Sequence, residues 1–360
     1  MINAFIILLF LLQGSYLVVH ANTFTTEQQL TKNYNTTLND FWLQGKLGHF
    51  KGIDQASIYY KTFTHDTAQK CLVISSGRSE SLLKFRELSY DFFQQGFDIF
   101  IVDHRGQGLS QRLLSNPYKG YVKNFDDYAD DLHTFINKIV LPSCQNSSVN
   151  TAISTPPLYL LSHSMGGAIS IRYLQKYPNI FKAVVLSSPM VAFNKGGLPN
   201  WLANLVINIG EKLNQWFGDK PWYFIGQQDY QQPKFDNNQL THSAIRFGYF
   251  MDIYQQNPNI QLGGVTVHWL QQAIKTTVNI FADIKKLTSP ILVIQAGGDT
   301  IVDNQAQNDF CSTLHNINKN SCPNGQAVVI DNAHHELFLE SDQYREQALQ
   351  HALSWFNQHH

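Results

Sequence analysis

The chain has 360 residues, a formal net charge of −1 and only 15% charged side chains. That balance supplies no basic field for nucleic acid and no polybasic patch for anionic lipid, so affinity for a lipid would be mainly hydrophobic. A chain of this length can bury about three quarters of its extended surface in one large domain carrying an insertion, and its composition calls for no disorder. At the N-terminus, Phe5 to Leu12 is apolar, and Val19-His20-Ala21 places small residues where a signal peptidase reads. Residues 1–21 are therefore expected to be a cleaved signal peptide that directs export to a periplasm or the exterior. No Lys or Arg precedes the apolar stretch, and the uncharged run from Ile2 to Ala21 nearly reaches the ~20 residues of a bilayer span, so a retained membrane anchor is the alternative.

Beyond the leader, strand and helix patterns alternate as a parallel sheet requires. Two strands are expected near Phe50 to Asp54 and Ser57 to Thr62, then a strand at Leu72 to Ser75, a helix at Ser81 to Gln95 and a strand at Phe97 to Val102. A helix at Asp126 to Ile139, a strand at Leu158 to Leu161, a helix at Met165 to Tyr177 and a strand at Ala183 to Leu186 follow. The pattern returns with a strand at Ile291 to Gln295, a helix at Asn304 to Leu314, a strand at Ala327 to Ile330 and a helix at Gln343 to Asn357. The fold class is α/β, a mostly parallel sheet flanked by helices. Residues 190–283 break the alternation and are rich in aromatics: Trp201, Trp216, Phe217, Trp222, Tyr223, Phe224, Tyr230, Phe235, Phe247, Tyr249, Phe250 and Trp269. This stretch is expected to be a mainly helical cap that splits the core into residues 22–189 and 284–360, with most of its aromatics forming the cap's own core.

Chemistry concentrates at three strand ends. The apolar strand at Leu158 stops on Ser162-His163-Ser164-Met165-Gly166-Gly167 and turns at once into a helix. A serine on such a strained strand-to-helix turn stands clear of the sheet, and the next backbone N–H faces the developing oxyanion. Ser164 is the candidate nucleophile and Met165 the first oxyanion donor, although Ser162 occupies a position usually held by glycine. Asp299 follows the strand ending at Ala296 and is the candidate acid, whereas Asp303 precedes a helix and reads as its cap. The loop Asp331-Asn332-Ala333-His334-His335-Glu336 offers the base, as His334 or His335. The order Ser, Asp, His is that of α/β-hydrolases. Arg105-Gly106-Gln107-Gly108 lacks the third glycine of a dinucleotide loop, and His335-Glu336 lacks the second histidine of a zinc protease, so no cofactor and no metal are implied.

Four cysteines allow three full pairings. Cys311 and Cys322 are expected to form a local disulfide, Cys71 to be a buried thiol, and Cys144 to be free or paired with Cys71. The sequons at Asn35 and Asn146 matter only in a host that glycosylates.

Taken together, Phe50 to Asp54, Ser76 to Ser81, Gly96-Phe97-Asp98, Asp103 to Ser110, Ser162 to Gly167, Leu240 to Ser243, Gly263-Gly264, His268-Trp269 and His335 to Phe338 resemble one branch of the α/β-hydrolases. That branch holds the monoacylglycerol lipases and, more closely similar, the bacterial lysophospholipases of the PldB type. The resemblance runs from about Asn39 to the C-terminus. It implies that His335, followed by Glu336 and soon Glu340, is the base, and that His334 is a loop neighbour. It implies a lid over the serine and a second oxyanion donor, the N–H of Arg78, in the loop after the third strand. Monoglyceride lipases tend to carry His-Gly in that loop, and Ser76-Gly77 here points to the lysophospholipase side. The guanidinium of Arg78 suits a phosphate, and an ion pair with Glu80 or Glu87 would satisfy it equally.

The function so implied is that of a serine carboxylic-ester hydrolase, releasing fatty acid from a lysophospholipid through an acyl-enzyme on Ser164 without cofactor or metal. Monoacylglycerol lipase or general carboxylesterase is the alternative; acyl transfer, aminopeptidase action and non-catalytic lipid binding are further readings of the same fold. The partners expected are a lysophospholipid or monoacylglycerol substrate and a membrane surface touched peripherally, with no nucleic acid. Relatives of the PldB type generally lack a leader, which sets the expected export apart from the resemblance.

Overall fold

The computed structural model describes residues 24–66, 70–146, 156–194, 200–218 and 220–359; the expected leader, 1–21, lies outside them. Eight strands form one sheet: β1 Lys46–Lys51, β2 Ser57–Phe63, β3 Lys70–Ser75, β4 Phe97–Val102, β5 Leu158–His163, β6 Ala183–Ser187, β7 Ile291–Ala296 and β8 Val328–Ile330. They lie in the order β1-β2-β4-β3-β5-β6-β7-β8. The pairs β1·β2 and β2·β4 are antiparallel. From β4 through β3, β5, β6 and β7 to β8 every pair is parallel. Each residue of β4, β5, β6 and β7 is buried, which is why these strands read as mostly apolar runs rather than alternating ones.

The described helices are α1 Glu27–Asn33, α2 Thr37–Gln44, α3 Arg86–Gln94, α4 Asp126–Phe135, α5 Leu141–Asn146, α6 Met165–Lys176, α7 Asn200–Phe217, α8 Ala244–Gln256, α9 Val267–Ala282, α10 Asn304–Ile317 and α11 Asp342–Gln358. Two apolar layers result, one on each sheet face: one gathers Phe135, Ile169 and Leu186. The other gathers Phe92, Tyr159 and Phe356. The chain passes from β3 to β4 on one side and then crosses to β5 on the other, so the crevice beyond the carboxyl ends of β3 and β5 is the switch point where open α/β sheets bind ligands.

Several elements differ from expectation. The first strand is Lys46–Lys51, because Ile53–Gln55 is a tight turn with Asp54 at φ 52°. Helix α3 is preceded by a 3-10 turn, Leu82–Phe85, capped by the Ser81 hydroxyl. The single helix expected at Asp126 to Ile139 is instead α4, a π-turn at Ile136–Val140 and then α5. That continuation brings Cys144 to the start of β3, where it forms a disulfide with Cys71. Cys71 is therefore half of a cross-link and not a buried thiol. Cys311 and Cys322 form the second disulfide, as expected.

Between β6 and β7 the described segment is helical, carrying α7, α8 and α9. Arg246 of α8 ties it down: the guanidinium, 1% exposed, bonds Glu87 of α3, Asp342 of α11 and the carbonyls of Thr25 and Glu340. Phe247, Phe250 and Trp269 are buried as expected, but Trp216 and Phe217 stand 74% exposed, so this segment's aromatics do not all serve its core.

Candidate active site

All the side chains singled out for chemistry fall at carboxyl ends of strands. Ser164 follows β5 with φ 52° and ψ −118°, a left-handed conformation that costs a non-glycine residue roughly 1–3 kcal/mol. The surroundings enforce it: the Ser164 N–H donates to Ser187 O at 3.0 Å, and its carbonyl accepts from Gly167 at 2.9 Å and Met190 at 3.0 Å. A Cβ at Gly166 would lie 2.2 Å from the Ser75 carbonyl oxygen, so no larger residue lets α6 approach β3 this closely. Ser162 stands where glycine is usual because its hydroxyl finds the Ser170 hydroxyl at 2.6 Å.

The three expected partners come together. His335 Nε2 lies 2.8 Å from Ser164 Oγ. Its Nδ1 lies 2.6 Å from Asp299 Oδ2. The other Asp299 oxygen accepts from the N–H groups of Ile301 at 2.8 Å and Val302 at 3.2 Å. Burial alone would raise the Asp299 carboxyl, but the bond and charge of His335 and these two N–H groups outweigh it and hold it below the ordinary carboxylate range. Asp303 caps α10 by accepting from Gln305 and Ala306, so the second carboxylate is structural. His334 turns away and stacks on His242 with ring centroids 3.7 Å apart.

On the oxyanion side, the loop after β3 presses on the serine: a Cβ at Gly77 would come within 3.2 Å of Ser164 Cβ. Among the described residues the N–H groups of Met165 and Arg78 have no acceptor, which leaves both available to an oxyanion. The segment from Asp103 to Ser110 scaffolds this loop. Gln107 Nε2 donates to Gly77 O at 2.7 Å, and Gln107 Oε1 accepts from Ser79 N–H at 3.2 Å. Asp103 accepts from Leu82 N–H at 2.6 Å and Leu109 N–H at 2.7 Å.

Sequence reasoning missed a buried ion triad behind the site. Lys84 Nζ lies 2.8 Å from Glu80 Oε1 and 2.6 Å from Glu336 Oε1, all three side chains less than a tenth exposed. Burial would depress the ammonium, but Glu336 and Glu80 outweigh it and hold Lys84 above its ordinary value. Glu80 also accepts from the Gly77 N–H, so one lysine couples the oxyanion loop to the residue after His335. The i,i+4 spacing of Glu80 and Lys84 was a visible signal; the contact to Glu336, 252 positions away, had none. His163, beside His335 at 4.9 Å between ring centroids, is pushed down to about 3 chiefly by burial and so stays neutral.

A cavity of about 380 Å³ opens next to these groups, lined by Arg78, Glu80 and Glu336 and walled by Phe250, Met251 and Leu262. Neither of the expected ion pairs of Arg78 forms. Glu80 is held by Lys84, and Glu87 by Arg246 at 2.9 Å and Arg345 at 3.4 Å.

Comparison with known proteins agrees in sequence and in fold. The family described as serine aminopeptidase S33, Hydrolase_4, matches residues 66–342. Lysophospholipase L2 of Escherichia coli strain K12 is 35% identical over 322 residues, covering 89% of this chain and 90% of that protein. The monoglyceride lipase of Mus musculus is 22% identical over 86% of this chain and 89% of its own length. Among solved structures, a soluble variant of the Saccharomyces cerevisiae monoglyceride lipase superposes with a TM-score of 0.67 at 16% identity, covering 88% of this chain and 95% of that one.

Proposed function

This chain belongs to the Hydrolase_4 family of α/β-hydrolases, and on that footing we propose that it cleaves single-acyl lipids, lysophospholipids first, to free fatty acid through an acyl-enzyme on Ser164. The observation that carries the chemistry is the unbroken relay from Ser164 through His335 to Asp299, at 2.8 and 2.6 Å. His335 Nε2 takes the hydroxyl proton as Ser164 Oγ attacks the ester carbonyl, and Asp299 fixes the tautomer and stabilises the imidazolium. The N–H groups of Met165 and Arg78 meet the oxyanion. His335 then returns the proton to the leaving alcohol, and a water activated by the same nitrogen releases the fatty acid.

The likeness to lysophospholipase L2 supports the lysophospholipid, and that to the monoglyceride lipases keeps monoacylglycerol as the second substrate. The apolar wall of Phe250, Met251 and Leu262 suits an acyl chain. Peptidase action is disfavoured, because the three carboxylates lining the cavity are engaged: Glu80 and Glu336 with Lys84, and Asp229 with Tyr223 and Asn116. The helical segment between β6 and β7 acts in this reading as a cap. Its exposed Ile209, Leu213, Trp216 and Phe217 share one face of α7, which supports peripheral contact with a membrane. Export through the leader at residues 1–21 is part of the proposal, supported by two disulfides of the kind that persist in oxidising compartments.

The test is fatty-acid release from lysophosphatidylcholine and monoacylglycerol of matched chain length. The proposal expects both to be cleaved, lysophosphatidylcholine with the higher kcat/KM, and both activities to vanish in Ser164→Ala. Cleavage of short aryl esters alone would remove the lipid assignment while leaving the relay in place.

A further inference from the structure

The side chain of Arg78 takes no part in the ester chemistry. Its backbone N–H is free to serve the oxyanion, and its side chain lines the cavity. There Nη1 donates to the Gly263 carbonyl at 3.0 Å, and the group lies 5.9 Å from the centroid of the Trp269 ring. Those are the only protein partners described for it, and neither is an anion. The carboxylates that line the same cavity have other partners: Glu80 and Glu336 hold Lys84, and Asp229 accepts from Tyr223 and Asn116. Burial pulls the Arg78 guanidinium below its ordinary value.

A desolvated cation is expensive unless an anion completes it. The fully buried arginines obey that rule within the fold, since Arg105, Arg172, Arg246 and Arg345 each hold at least one carboxylate, whereas among the described residues the partly buried Arg78, Arg86 and Arg112 form no ion pair. Of these three, Arg78 is the one that lines the cavity of about 380 Å³ whose lining also includes Glu336, the neighbour of His335. Its aliphatic stem begins one residue after Gly77, whose Cβ position is 3.2 Å from Ser164 Cβ. The residue that follows this close approach to the serine thus also lines the cavity.

We propose that the Arg78 guanidinium is the phosphate-binding group of this site, donating its free N–H edge to the phosphodiester oxygens of a lysophospholipid and so selecting it over an uncharged monoacylglycerol. The assignment rests on the lipid-esterase reading above and adds the source of its head-group preference. Planar donors in a fixed fork match two phosphate oxygens at once, which a lysine reproduces only in part.

The experiment compares wild type, Arg78→Gln and Arg78→Lys on lysophosphatidylcholine and monoacylglycerol of one chain length. Glycerophosphocholine and inorganic phosphate are tested as inhibitors of monoacylglycerol cleavage, and fluorophosphonate labelling of Ser164 confirms that each variant is folded. In Arg78→Gln the ratio of kcat/KM between the two lipids should fall about 10- to 100-fold, the value of a charge-assisted bond, through KM. Arg78→Lys should recover part of the ratio, and glycerophosphocholine should inhibit the glutamine variant at least tenfold more weakly. A ratio unchanged within about twofold, with both lipids losing kcat together, overturns the proposal and leaves Arg78 as a backbone donor alone. Inhibition by inorganic phosphate that the variant loses while its lipid ratio stays constant also overturns it, in favour of a free-phosphate site. If wild type cleaves monoacylglycerol but no lysophosphatidylcholine, the lysophospholipid reading fails; glycerophosphocholine inhibition that depends on Arg78 would still uphold the phosphate site, and its absence would sink both.

Discussion

At the scale of single residues, the site depends on groups that carry out no step of the reaction. Lys84 is the clearest case, since it neutralises two carboxylates at once, Glu80, which accepts from the Gly77 N–H, and Glu336, the residue after His335. Lys84→Met would leave both charges buried without a partner, a change that costs roughly 3–5 kcal/mol of stability. It should also lower kcat by at least tenfold, since removing one oxyanion donor costs about 10²–10³. Thermal unfolding and steady-state kinetics of Lys84→Met beside Lys84→Arg measure both effects, with the arginine variant expected to keep more of each. Equal kcat in wild type and Lys84→Met would mean that the triad holds the fold and not the chemistry. Ser164 and Asp299 were legible in the sequence because each follows a run of buried strand residues, whereas His335 follows β8, where Ile330 alone is buried. His335 separated from His334 only through the resemblance, and its physical basis is visible now: Glu340 accepts from the His334 N–H, which turns that ring toward His242.

At the scale of elements, the parallel strands were readable because burial on both faces writes a mostly apolar run. The edge was not: β1 has Phe50 as its only buried residue, so its sequence carries no contrast between faces. Helices α1 and α2 were missed altogether, although Thr26 forms a capping box with Gln29. Their packing depends on distant partners, such as the stack of Tyr34 on Tyr249, centroids 4.0 Å apart. The Cys71–Cys144 link was open for the same reason, since a π-turn that no local pattern announces decides where Cys144 ends. It joins residues 73 positions apart and should stabilise the fold by about 2–5 kcal/mol, so Cys71→Ala with Cys144→Ala should lower the melting temperature by several degrees. An unchanged melting temperature would show that packing around β3 suffices alone. Arg246 joins α8 to α3 and α11, and Arg246→Met should loosen this attachment by about 3–5 kcal/mol. Hydrogen exchange should then rise first in α8; a uniform rise across the sheet would argue against a separable cap.

At the scale of the whole molecule, buried titratable groups set the pH range in which the fold is stable. His104 and His163 are each pushed down to about 3 by burial, against an ordinary 6.5. Both stay neutral in the native state and take up a proton on unfolding, so their contribution is complete above pH 6.5 and drains as pH falls toward 3. Each is worth about 1.4 kcal/mol per pH unit in that window. Asp103, pushed up to about 7 by burial against an ordinary 3.8, works in the opposite direction, being fully favourable below 3.8 and lost as pH rises through 7. Two histidine protons against one carboxyl proton leave these three groups with a net loss of stability as pH falls below 6.5. Urea unfolding at pH 7.5, 6 and 5 tests the sign: the midpoint should fall with pH, and a midpoint that rises toward pH 5 contradicts the neutral histidines.

The central claim is that Ser164 carries the acyl group. Acid quenching of the enzyme during turnover of lysophosphatidylcholine, followed by mass spectrometry of its peptides, measures this directly. The account predicts a mass increase equal to the fatty acyl group on the peptide containing Ser164, absent from Ser164→Ala. Fatty-acid release that continues with no acylated Ser164 peptide, or that persists in Ser164→Ala, would contradict it.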